Sequence, residues 1–297
     1  MTRFASCWLL GAMLGGIGNA GAAGPTLELL PPLAARAAAV PAERPADAVP
    51  DTRAVRGNRD IALAWLADPT GRYQHGALGD FIEASTLKVR LRDGTELRYP
   101  LVDDSVFEDL EPRLVDLDGD GRDEVLVVRS SPQAGAALAV FGVRDGRLVK
   151  LAEAAPIGRG NRWLNPVGVA DLDGDGVPEI AVVLTPHIGG TLVVYHYSGS
   201  ALIERARLPG FSNHVLGSLE LAMAAILDAN SDGQPDLILP SADRRTLRAI
   251  AFGAGGLREI ATVSLPAPAQ GNFTVDAGAR MVTVPLADGR RARVMWR

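Results

Sequence analysis

The sequence predicts an all-β fold built from a repeated unit of four strands. From about Asp60 onward, short apolar stretches are interrupted every 6 to 12 residues by Gly, Asp-Gly or Pro, and no long amphipathic helix is visible. Glycine and proline are numerous, at 33 and 20 residues, whereas aromatic residues make up only 5% of the chain. This composition is typical of a fold with many turns. A hydrophobic fraction of 47% is sufficient for a globular core and excludes wholesale disorder.

Three similar segments define the repeat. They read DLDGDGRDEVLVV from Asp116, DLDGDGVPEIAVV from Asp171 and DANSDGQPDLILP from Asp228, at spacings of 55 and 57 residues. Each segment is followed by two further strand-like pieces joined by a turn. Each unit therefore reads as strand, acidic loop, strand and hairpin. A four-stranded repeat of about this length is typical of a β-propeller blade.

Two weaker copies flank the three clear units. The hairpins TLKVRLRDGTELRYPL (86–101) and MVTVPLADGRRARVMWR (281–297) match the repeat but lack the acidic loop. We therefore expect about five blades, with the acidic loops between the first and second strands of three of them. The last unit has room for about three strands, so a strand at Thr26–Leu30 or near Ile61 is expected to complete it and close the ring. The expected units are 60–101, 112–155, 166–208, 221–264 and 271–297.

The N-terminal segment predicts export. Residues 1–23 combine Arg3, an apolar run and an Ala-Gly-Ala cleavage site, which is the pattern of a secretory signal peptide. The mature chain is therefore expected in the periplasm, at the cell surface or outside the cell. Residues 24–57 are predicted to be a Pro/Ala-rich linker or arm, and residues 58–297 the propeller, clearest at 112–264. No window is long and apolar enough to predict a membrane span.

The acidic loops predict calcium sites. Carboxylates at positions 1, 3, 5 and 9 alternate along a tight turn, a glycine at position 6 allows the turn, and position 7 offers its carbonyl oxygen. Several carboxylates in so small a space repel each other unless a cation neutralises them. We expect about three Ca²⁺ ions with a structural role. The expected ligand residues are Asp116, Asp118, Asp120, Arg122 and Glu124; Asp171, Asp173, Asp175, Val177 and Glu179; and Asp228, Asn230, Asp232, Gln234 and Asp236.

An EF-hand is the alternative for such a loop. It would need a bidentate Glu at position 12, where this chain has Val127, Val182 and Leu239 inside apolar strands. The flanking segments are also strand-like rather than helical. The loops therefore belong to a β-hairpin type of calcium site. Because Asn230 replaces a carboxylate, the third site carries one negative charge fewer and is predicted to bind calcium most weakly.

With these loops the sequence resembles the FG-GAP and VCBS repeat family, whose members include the propeller heads of integrin alpha subunits. The resemblance rests on D-x-D-G-D-G-x-x-[DE] followed by apolar residues, and it is clearest over 112–264. It implies that each loop joins the first two strands of a blade and binds Ca²⁺. Integrin heads have seven blades, whereas about five are expected here. The way the integrin ring closes, and any integrin-like partner site, therefore cannot be carried over directly to this chain.

A second set of polar and aromatic residues lies in the segments between units. If these segments occupy corresponding places around the ring, their side chains converge on one face near the central channel, where propellers commonly bind ligands. The alternative is that each residue packs locally against a neighbouring blade. The histidines lack the close spacing of a zinc site. The candidates for this ligand face are Arg72, His75, Arg162, Trp163, Asn165, His187, Asn213 and His214.

The sequence therefore predicts a calcium-binding module that recognises a protein or carbohydrate ligand. There is no G-x-S-x-G, P-loop or H-E-x-x-H motif, and the single cysteine, Cys7, lies in the predicted signal peptide, so no enzyme is predicted. A net charge of −5 argues against a nucleic-acid partner. Two alternatives stay open: a hydrolase or lyase with His75, His187 or His214 as acid or base, and an assembly subunit without its own ligand.

Overall fold

The computed structural model describes residues 24–32, 44–102 and 104–296. The predicted signal peptide lies outside these residues. Within them the chain forms only β-strands, turns and irregular segments, so the all-β prediction is confirmed. No helix in the described ranges is long and apolar enough to cross a membrane.

The first two units are joined into one sheet. A short strand, β6, pairs with the third strand of unit 1 at Ala84 and with the second strand of unit 2 at Arg129. Its residues Val106 and Phe107 are fully buried, which explains why this connector joins the sheet instead of running over the surface. Unit 1 comprises β2 (Val55–Arg56), β3 (Ile61–Thr70), β4 (Glu83–Leu91) and β5 (Glu96–Pro100); β6 is Val106–Phe107; unit 2 comprises β7 (Arg113–Val115), β8 (Glu124–Ser131), β9 (Gly135–Arg144) and β10 (Arg147–Glu153).

Units 3 and 4 are separate four-stranded antiparallel sheets in which each strand pairs with the next along the chain. Such meanders need only short turns, which the Gly-rich hairpins supply. Unit 3 comprises β11 (Leu164–Ala170), β12 (Glu179–Leu184), β13 (Gly190–Tyr197) and β14 (Leu202–Phe211); unit 4 comprises β15 (Ala225–Leu227), β16 (Asp236–Pro240), β17 (Thr246–Gly253) and β18 (Gly256–Ser264).

The last sheet is completed by the N-terminal strand. Unit 5 contains β19 (Thr274–Asp276), β20 (Met281–Pro285) and β21 (Arg291–Met295), and β1 (Thr26–Leu30) pairs antiparallel with β21. The predicted strand at Thr26–Leu30 therefore supplies the fourth strand of this sheet. The pairing covers the edge of β21, which would otherwise present unpaired backbone groups.

Apolar residues on facing sheets form the core. The second strands carry continuous apolar runs, as in Val125–Val128 of β8, because neighbouring sheets cover both of their faces. Separate clusters join unit 1 to unit 2, unit 2 to unit 3, unit 3 to unit 4 and unit 4 to unit 5. Among the described residues no cluster joins unit 5 directly to unit 1, so closure of the ring stays a prediction.

The outer face of β3 is covered by part of the predicted arm. Residues 44–54 lie against it, with Ala48 and Val49 buried. The indole Nε1 of Trp65 donates a hydrogen bond to Asp47 Oδ1 at 2.9 Å. This portion of the predicted arm is therefore packed against the first sheet.

A segment between units 3 and 4, residues 212–222, makes backbone hydrogen bonds to residues of unit 1 and beside unit 5, and we call it the central segment. Gly217 N donates to the Ala77 carbonyl of unit 1 at 2.9 Å. Phe273 N, next to unit 5, donates to the Ala222 carbonyl at 2.8 Å. The central segment thus connects sheets that are far apart in sequence.

Antiparallel pairing places the connections at two opposite ends of the sheets. The loops between first and second strands, which are the acidic loops, lie at the same end as the turns between third and fourth strands. The loops between second and third strands lie at the opposite end, together with the connections between units. We call these the acidic end and the histidine end.

Candidate functional site

The three acidic loops share one backbone conformation. We number them loop 1 (116–124), loop 2 (171–179) and loop 3 (228–236). In each, the carboxylate at position 1 accepts hydrogen bonds from the backbone N–H groups of positions 4 and 6, at 2.7 to 3.1 Å. The side chain at position 3 accepts from the N–H of position 5, and position 5 accepts from the N–H of position 7.

Position 9 is a buried acid in every loop. Glu124, Glu179 and Asp236 are each at most 1% exposed. One carboxylate oxygen of each accepts a hydrogen bond at 2.9 Å from the backbone N–H of position 2. The other oxygens, Oε1 of Glu124 and Oε1 of Glu179, are buried without a hydrogen-bond partner. An unsatisfied buried oxygen costs free energy, so these two oxygens require a further partner.

The unsatisfied oxygens belong to residues that cluster as metal ligands would. Asp116, Asp118 and Glu124 each offer an oxygen within 4.8 Å of the others. Asp171, Asp173 and Glu179 do the same in loop 2. Position 5 lies outside both groups. In loop 3, the Nδ2 of Asn230 donates to Asp232 Oδ2 at 2.8 Å, and no group of three carboxylates is found there among the described residues.

Burial and neighbouring carboxylates oppose ionisation at position 9. Burial, with the charges of Asp118 and Asp120, raises the pKa of Glu124 to about 7. Burial likewise raises the pKa of Glu179, and it raises the pKa of Asp236 to about 6. A bound cation would remove this penalty because it stabilises the charged carboxylates.

The donor set fits calcium. Every candidate ligand is a carboxylate, amide or carbonyl oxygen, and a hard cation such as Ca²⁺ prefers these to nitrogen or sulfur. The two buried carboxylate oxygens that lack hydrogen bonds, on Glu124 and Glu179, are the positions at which a metal would bind. The backbone φ is positive at positions 4 and 6, for example 77° at Gly174 and 88° at Gly176, and this conformation favours glycine. In loop 3, Ser231 adopts a φ of 68° at position 4.

Loop 1 differs from loop 2 in having arginines beside it. Arg59 Nε lies 3.4 Å from Asp116 Oδ2. Arg144 Nη2 lies 3.5 Å from Glu124 Oε1 and 3.8 Å from Asp118 Oδ2. No such ion pair with a loop 2 carboxylate is found in the described part of the chain. Loop 1 is therefore partly neutralised by protein groups, and loop 2 is not.

At the histidine end, three of the four histidines meet. His187 Nε2 and His214 Nδ1 are hydrogen-bonded at 2.8 Å, and His214 Nε2 donates to the Ser218 carbonyl at 3.0 Å. The indole ring of Trp163 stacks on His187 with ring centres 5.9 Å apart. His75 and His187 both line a cavity of about 160 Å³, which we call the histidine cavity. Its lining includes His75, Arg162, Trp163, His187, Ile188 and Leu216.

A buried carboxyl group orients His75. Glu108 is fully buried, its Oε1 lies 2.6 Å from His75 Nδ1, and its Oε2 accepts a hydrogen bond from Ser130 Oγ at 2.5 Å. Trp163 Nε1 donates to the Glu108 backbone carbonyl at 2.9 Å. Burial raises the pKa of Glu108, against the opposing effect of His75. With Nδ1 held by Glu108, the Nε2 edge of His75 is left for other contacts.

Burial keeps the other two histidines neutral. Together with the charges of His75 and Arg244, it lowers the pKa of His187 to about 4. Burial also lowers the pKa of His214 to about 3, with smaller effects from His187 and Arg244. Both imidazoles are therefore uncharged at neutral pH.

The remaining predicted face residues serve the fold. Asn165 and Asn213 are fully buried and bonded to each other's backbone: Asn165 Nδ2 donates to the Asn213 carbonyl at 3.0 Å, and Asn213 Nδ2 to the Asn165 carbonyl at 3.3 Å. Arg72 Nε donates to the Ser105 carbonyl at 2.9 Å. For these three residues, the alternative of local packing describes the contacts better than a ligand face does.

Exposed apolar side chains also concentrate at the histidine end. They lie on the loop between β3 and β4, on the loop beside His187, on the connector after β5 and on the central segment. Contiguous exposed apolar surface on a soluble protein commonly marks an interaction site. The side chains are Phe81, Ile82, Val102, Ile188, Leu216 and Leu219, each more than 40% exposed.

A second cavity, of about 370 Å³, is mainly apolar and lies between β7 and β11. Its charged groups already have partners, since Arg113 pairs with Asp109 at 2.6 Å and Glu111 with Arg53 at 3.7 Å. It therefore offers fewer free polar contacts to a ligand than the histidine cavity.

Comparison with family models matches residues 116–182 to the FG-GAP-like repeat. These residues carry an FG-GAP-like repeat. The match contains loops 1 and 2 and thereby confirms the resemblance to the FG-GAP and VCBS repeat family. The FG-GAP-like repeat and the succession of antiparallel sheets together support a β-propeller-like fold.

No curated protein matches the chain in sequence. Among solved structures, the chain is similar to the crystal structure of the exotype rhamnogalacturonan lyase YesX, with 15% identity and a TM-score of 0.44. The alignment covers 87% of this chain and 57% of that chain, so this chain spans little more than half the length of that lyase. A likeness this distant carries no argument about function.

Two residues of the histidine end had no sequence signal. Glu108 lies in the connector SVFEDL, where an acidic residue is normally interpreted as a solvated surface residue. Arg244 lies in a polar turn of unit 4, far from the FG-GAP-like repeat, yet its Nε is buried without a hydrogen-bond partner. Arg244 also acts electrostatically on both His187 and His214. Only the three-dimensional fold brings these groups together.

Proposed function

We propose that this chain is an exported calcium-binding β-propeller of five units, in which calcium is structural and the histidine end recognises a protein or carbohydrate ligand. The observation that carries the calcium role is the buried Oε1 of Glu179, which has no hydrogen-bond partner and belongs to a group with Asp171 and Asp173. Oε1 of Glu124 in loop 1 also lacks a hydrogen bond, but it lies 3.5 Å from Arg144 Nη2. Export rests on the signal-peptide pattern of residues 1–23.

The separation of the two ends supports a structural role for the metal. The acidic loops lie at one end of the sheets, whereas the histidine cavity and the exposed apolar side chains lie at the other. A metal in the loops does not contact a ligand at the histidine end. Its contribution is to hold the first two strands of each unit together.

Thermal unfolding tests the calcium role. Unfolding of the mature protein is compared in EGTA, in millimolar Ca²⁺ and in millimolar Mg²⁺. A site filled to about 100 times its Kd contributes about 2.7 kcal/mol, which corresponds to roughly 5 °C in Tm for each filled loop. We expect a rise of this size that is specific to Ca²⁺. Equal midpoints in EGTA and Ca²⁺ would show that the loops are empty turns and would remove this part of the proposal.

A hydrolase or lyase is the second candidate, and one observation favours it. Glu108 holds His75 through Nδ1 in the way that an acid orients a general base. The test is turnover of polysaccharides by the wild type and by His75→Gln and His187→Gln. Turnover that these substitutions abolish would establish an enzyme, whereas binding without turnover would support the recognition module.

A further inference from the structure

The hydrogen-bond chain at the histidine end fixes which ring nitrogens carry protons. The Ser218 carbonyl can only accept, so His214 Nε2 carries its hydrogen and, in the neutral ring, Nδ1 is an acceptor. His187 Nε2 must then be the donor in the 2.8 Å contact with His214. His187 is neutral as well, so its Nδ1 carries a lone pair.

His75 presents a second ring nitrogen to the same cavity. Its Nδ1 is held 2.6 Å from Oε1 of the buried Glu108, which leaves the Nε2 edge of the ring for other contacts. Neither His75 Nε2 nor His187 Nδ1 has a hydrogen-bond partner among the described residues. Both rings are held in place, the first by Glu108 and the second by stacking on Trp163.

The surroundings select the kind of ligand. The lone pair of His187 Nδ1 calls for a hydrogen-bond donor, and a hydroxyl group suits both this nitrogen and His75 Nε2 because it can donate and accept. The positive charge of Arg244 acts on His187, so it disfavours a cationic donor or a metal ion. Ile188 and Leu216 border the cavity and suit the C–H groups of a ring. A cavity of about 160 Å³ has room for one small ring and not for an extended chain.

We propose that the histidine cavity binds a single neutral sugar ring, whose hydroxyl groups hydrogen-bond to His75 Nε2 and donate to His187 Nδ1. This rests on the recognition role proposed for the histidine end and narrows it from protein or carbohydrate to carbohydrate. Glu108 acts as a positioning residue, because it holds the His75 ring through Nδ1 without reaching the ligand.

Imidazole NMR tests this directly, because the whole chain has only four histidines. Long-range ¹H–¹⁵N spectra of the labelled protein are recorded while methyl glycosides of glucose, galactose, mannose and xylose are added separately up to the high millimolar range. We expect at least one glycoside to shift the His75 and His187 signals saturably. His196, on β13 opposite Glu179 of loop 2, is expected not to move.

Two variants make the test specific. His75→Phe removes one hydrogen-bonding nitrogen and should weaken binding of the active glycoside at least tenfold. Because it also leaves Oε1 of the buried Glu108 without its partner, Leu216→Arg is the second variant: Leu216 is 63% exposed, so the change blocks the cavity without disturbing the core. His196→Gln is the matched control and should bind the glycoside like the wild type.

The outcomes separate this proposal from the calcium role. Added Ca²⁺ is expected to shift the His196 signal, because His196 lies opposite Glu179 of loop 2. The glycosides are expected to leave this signal unchanged, so the two sites are followed separately. Shifts that persist unchanged in Leu216→Arg would overturn the sugar site, as would a panel in which no glycoside moves His75 and His187. Stoichiometric Zn²⁺ moving both signals, with every glycoside inactive, would instead identify a metal site.

Discussion

Glu83 is a buried carboxyl group whose ionisation the fold opposes. It is 4% exposed, and burial together with the charges of Glu108, Asp80 and Asp109 raises its pKa to about 9. The folded state therefore keeps a proton that the unfolded chain releases above its ordinary pKa of 4.5. The contribution of Glu83 to stability is full below about pH 4.5 and is lost as the pH rises towards 9.

Replacing Glu83 by Gln should remove this pH dependence. Each pKa unit corresponds to about 1.4 kcal/mol, and pH 8 lies about 3.5 units above the ordinary pKa, so Glu83→Gln is expected to raise the free energy of unfolding by up to about 5 kcal/mol at pH 8. At pH 4.5 the change should be below about 0.5 kcal/mol, because the carboxyl group is then protonated in most folded molecules. Urea unfolding at both pH values measures this.

The exposed Glu220 is the matched position for this experiment. Glu220→Gln should change stability by less than about 0.5 kcal/mol at either pH. An equal effect of Glu83→Gln at pH 4.5 and pH 8 would contradict the raised pKa and would point to a change in packing instead.

At the scale of the loops, charge alone is an incomplete guide to calcium affinity. The sequence ranks loop 3 as weakest because Asn230 is neutral. The structure adds Arg59 and Arg144, whose guanidinium groups lie within 3.8 Å of carboxylates of loop 1. A cation entering loop 1 must overcome these positive charges. Loop 2 keeps its four carboxylates without such partners and is therefore expected to bind calcium most tightly.

Two equivalent substitutions compare these loops. Asp118→Ala and Asp173→Ala remove the same position-3 ligand from loop 1 and loop 2. We expect Asp173→Ala to remove more of the Ca²⁺-dependent stabilisation, about 2.7 kcal/mol if loop 2 is filled to 100 times its Kd, and therefore more of the rise in Tm. Asp118→Ala should remove clearly less of this stabilisation. Equal losses would show that the arginines do not compete with the metal.

The acidic loops were predictable because their contacts are local. Within loop 1 the interacting groups, from Asp116 to Glu124, are at most eight positions apart, so their spacing in sequence reports their geometry. Arg59, in the turn between β2 and β3, and Arg144, at the end of β9, reach the loop from other parts of the chain, and no spacing rule reports them. The same limit applies to Glu108 and His75, which are 33 residues apart.

At the scale of the whole molecule, Asn165 connects unit 3 to the central segment. Its Nδ2 donates to two backbone carbonyls, of Asn213 at 3.0 Å and of Leu221 at 2.8 Å. Asn165→Ala would leave both carbonyls without this donor, at a cost of about 2 to 3 kcal/mol. We expect lower stability and faster hydrogen exchange at residues 213–222.

Gln133 provides the matched control for Asn165. Its side chain is exposed and donates only to Asp104, so Gln133→Ala should stay within about 0.5 kcal/mol of the wild type. Unchanged exchange in the central segment of Asn165→Ala would show that the segment is held by its other contacts alone.

The unit pattern was also predictable at this scale, whereas the relation between units was not. Four strands per unit and the missing strand of unit 5 follow from counting strand-like pieces, and β1 fills that place. The merging of units 1 and 2 through β6 does not follow, because a two-residue strand such as Val106–Phe107 has no periodicity to read. Tertiary burial decides its conformation.

The pairing of β1 with β21 also determines when the chain can finish folding. Glu28 and Arg293 on these strands form an ion pair across 265 residues of sequence. Contacts this distant carry a large loop-closure entropy and form late. Among the described strands, β1 is synthesised first and β21 last, so a polypeptide that ends before residue 291 leaves β1 without its partner. Completion of this sheet therefore requires translation through residue 295.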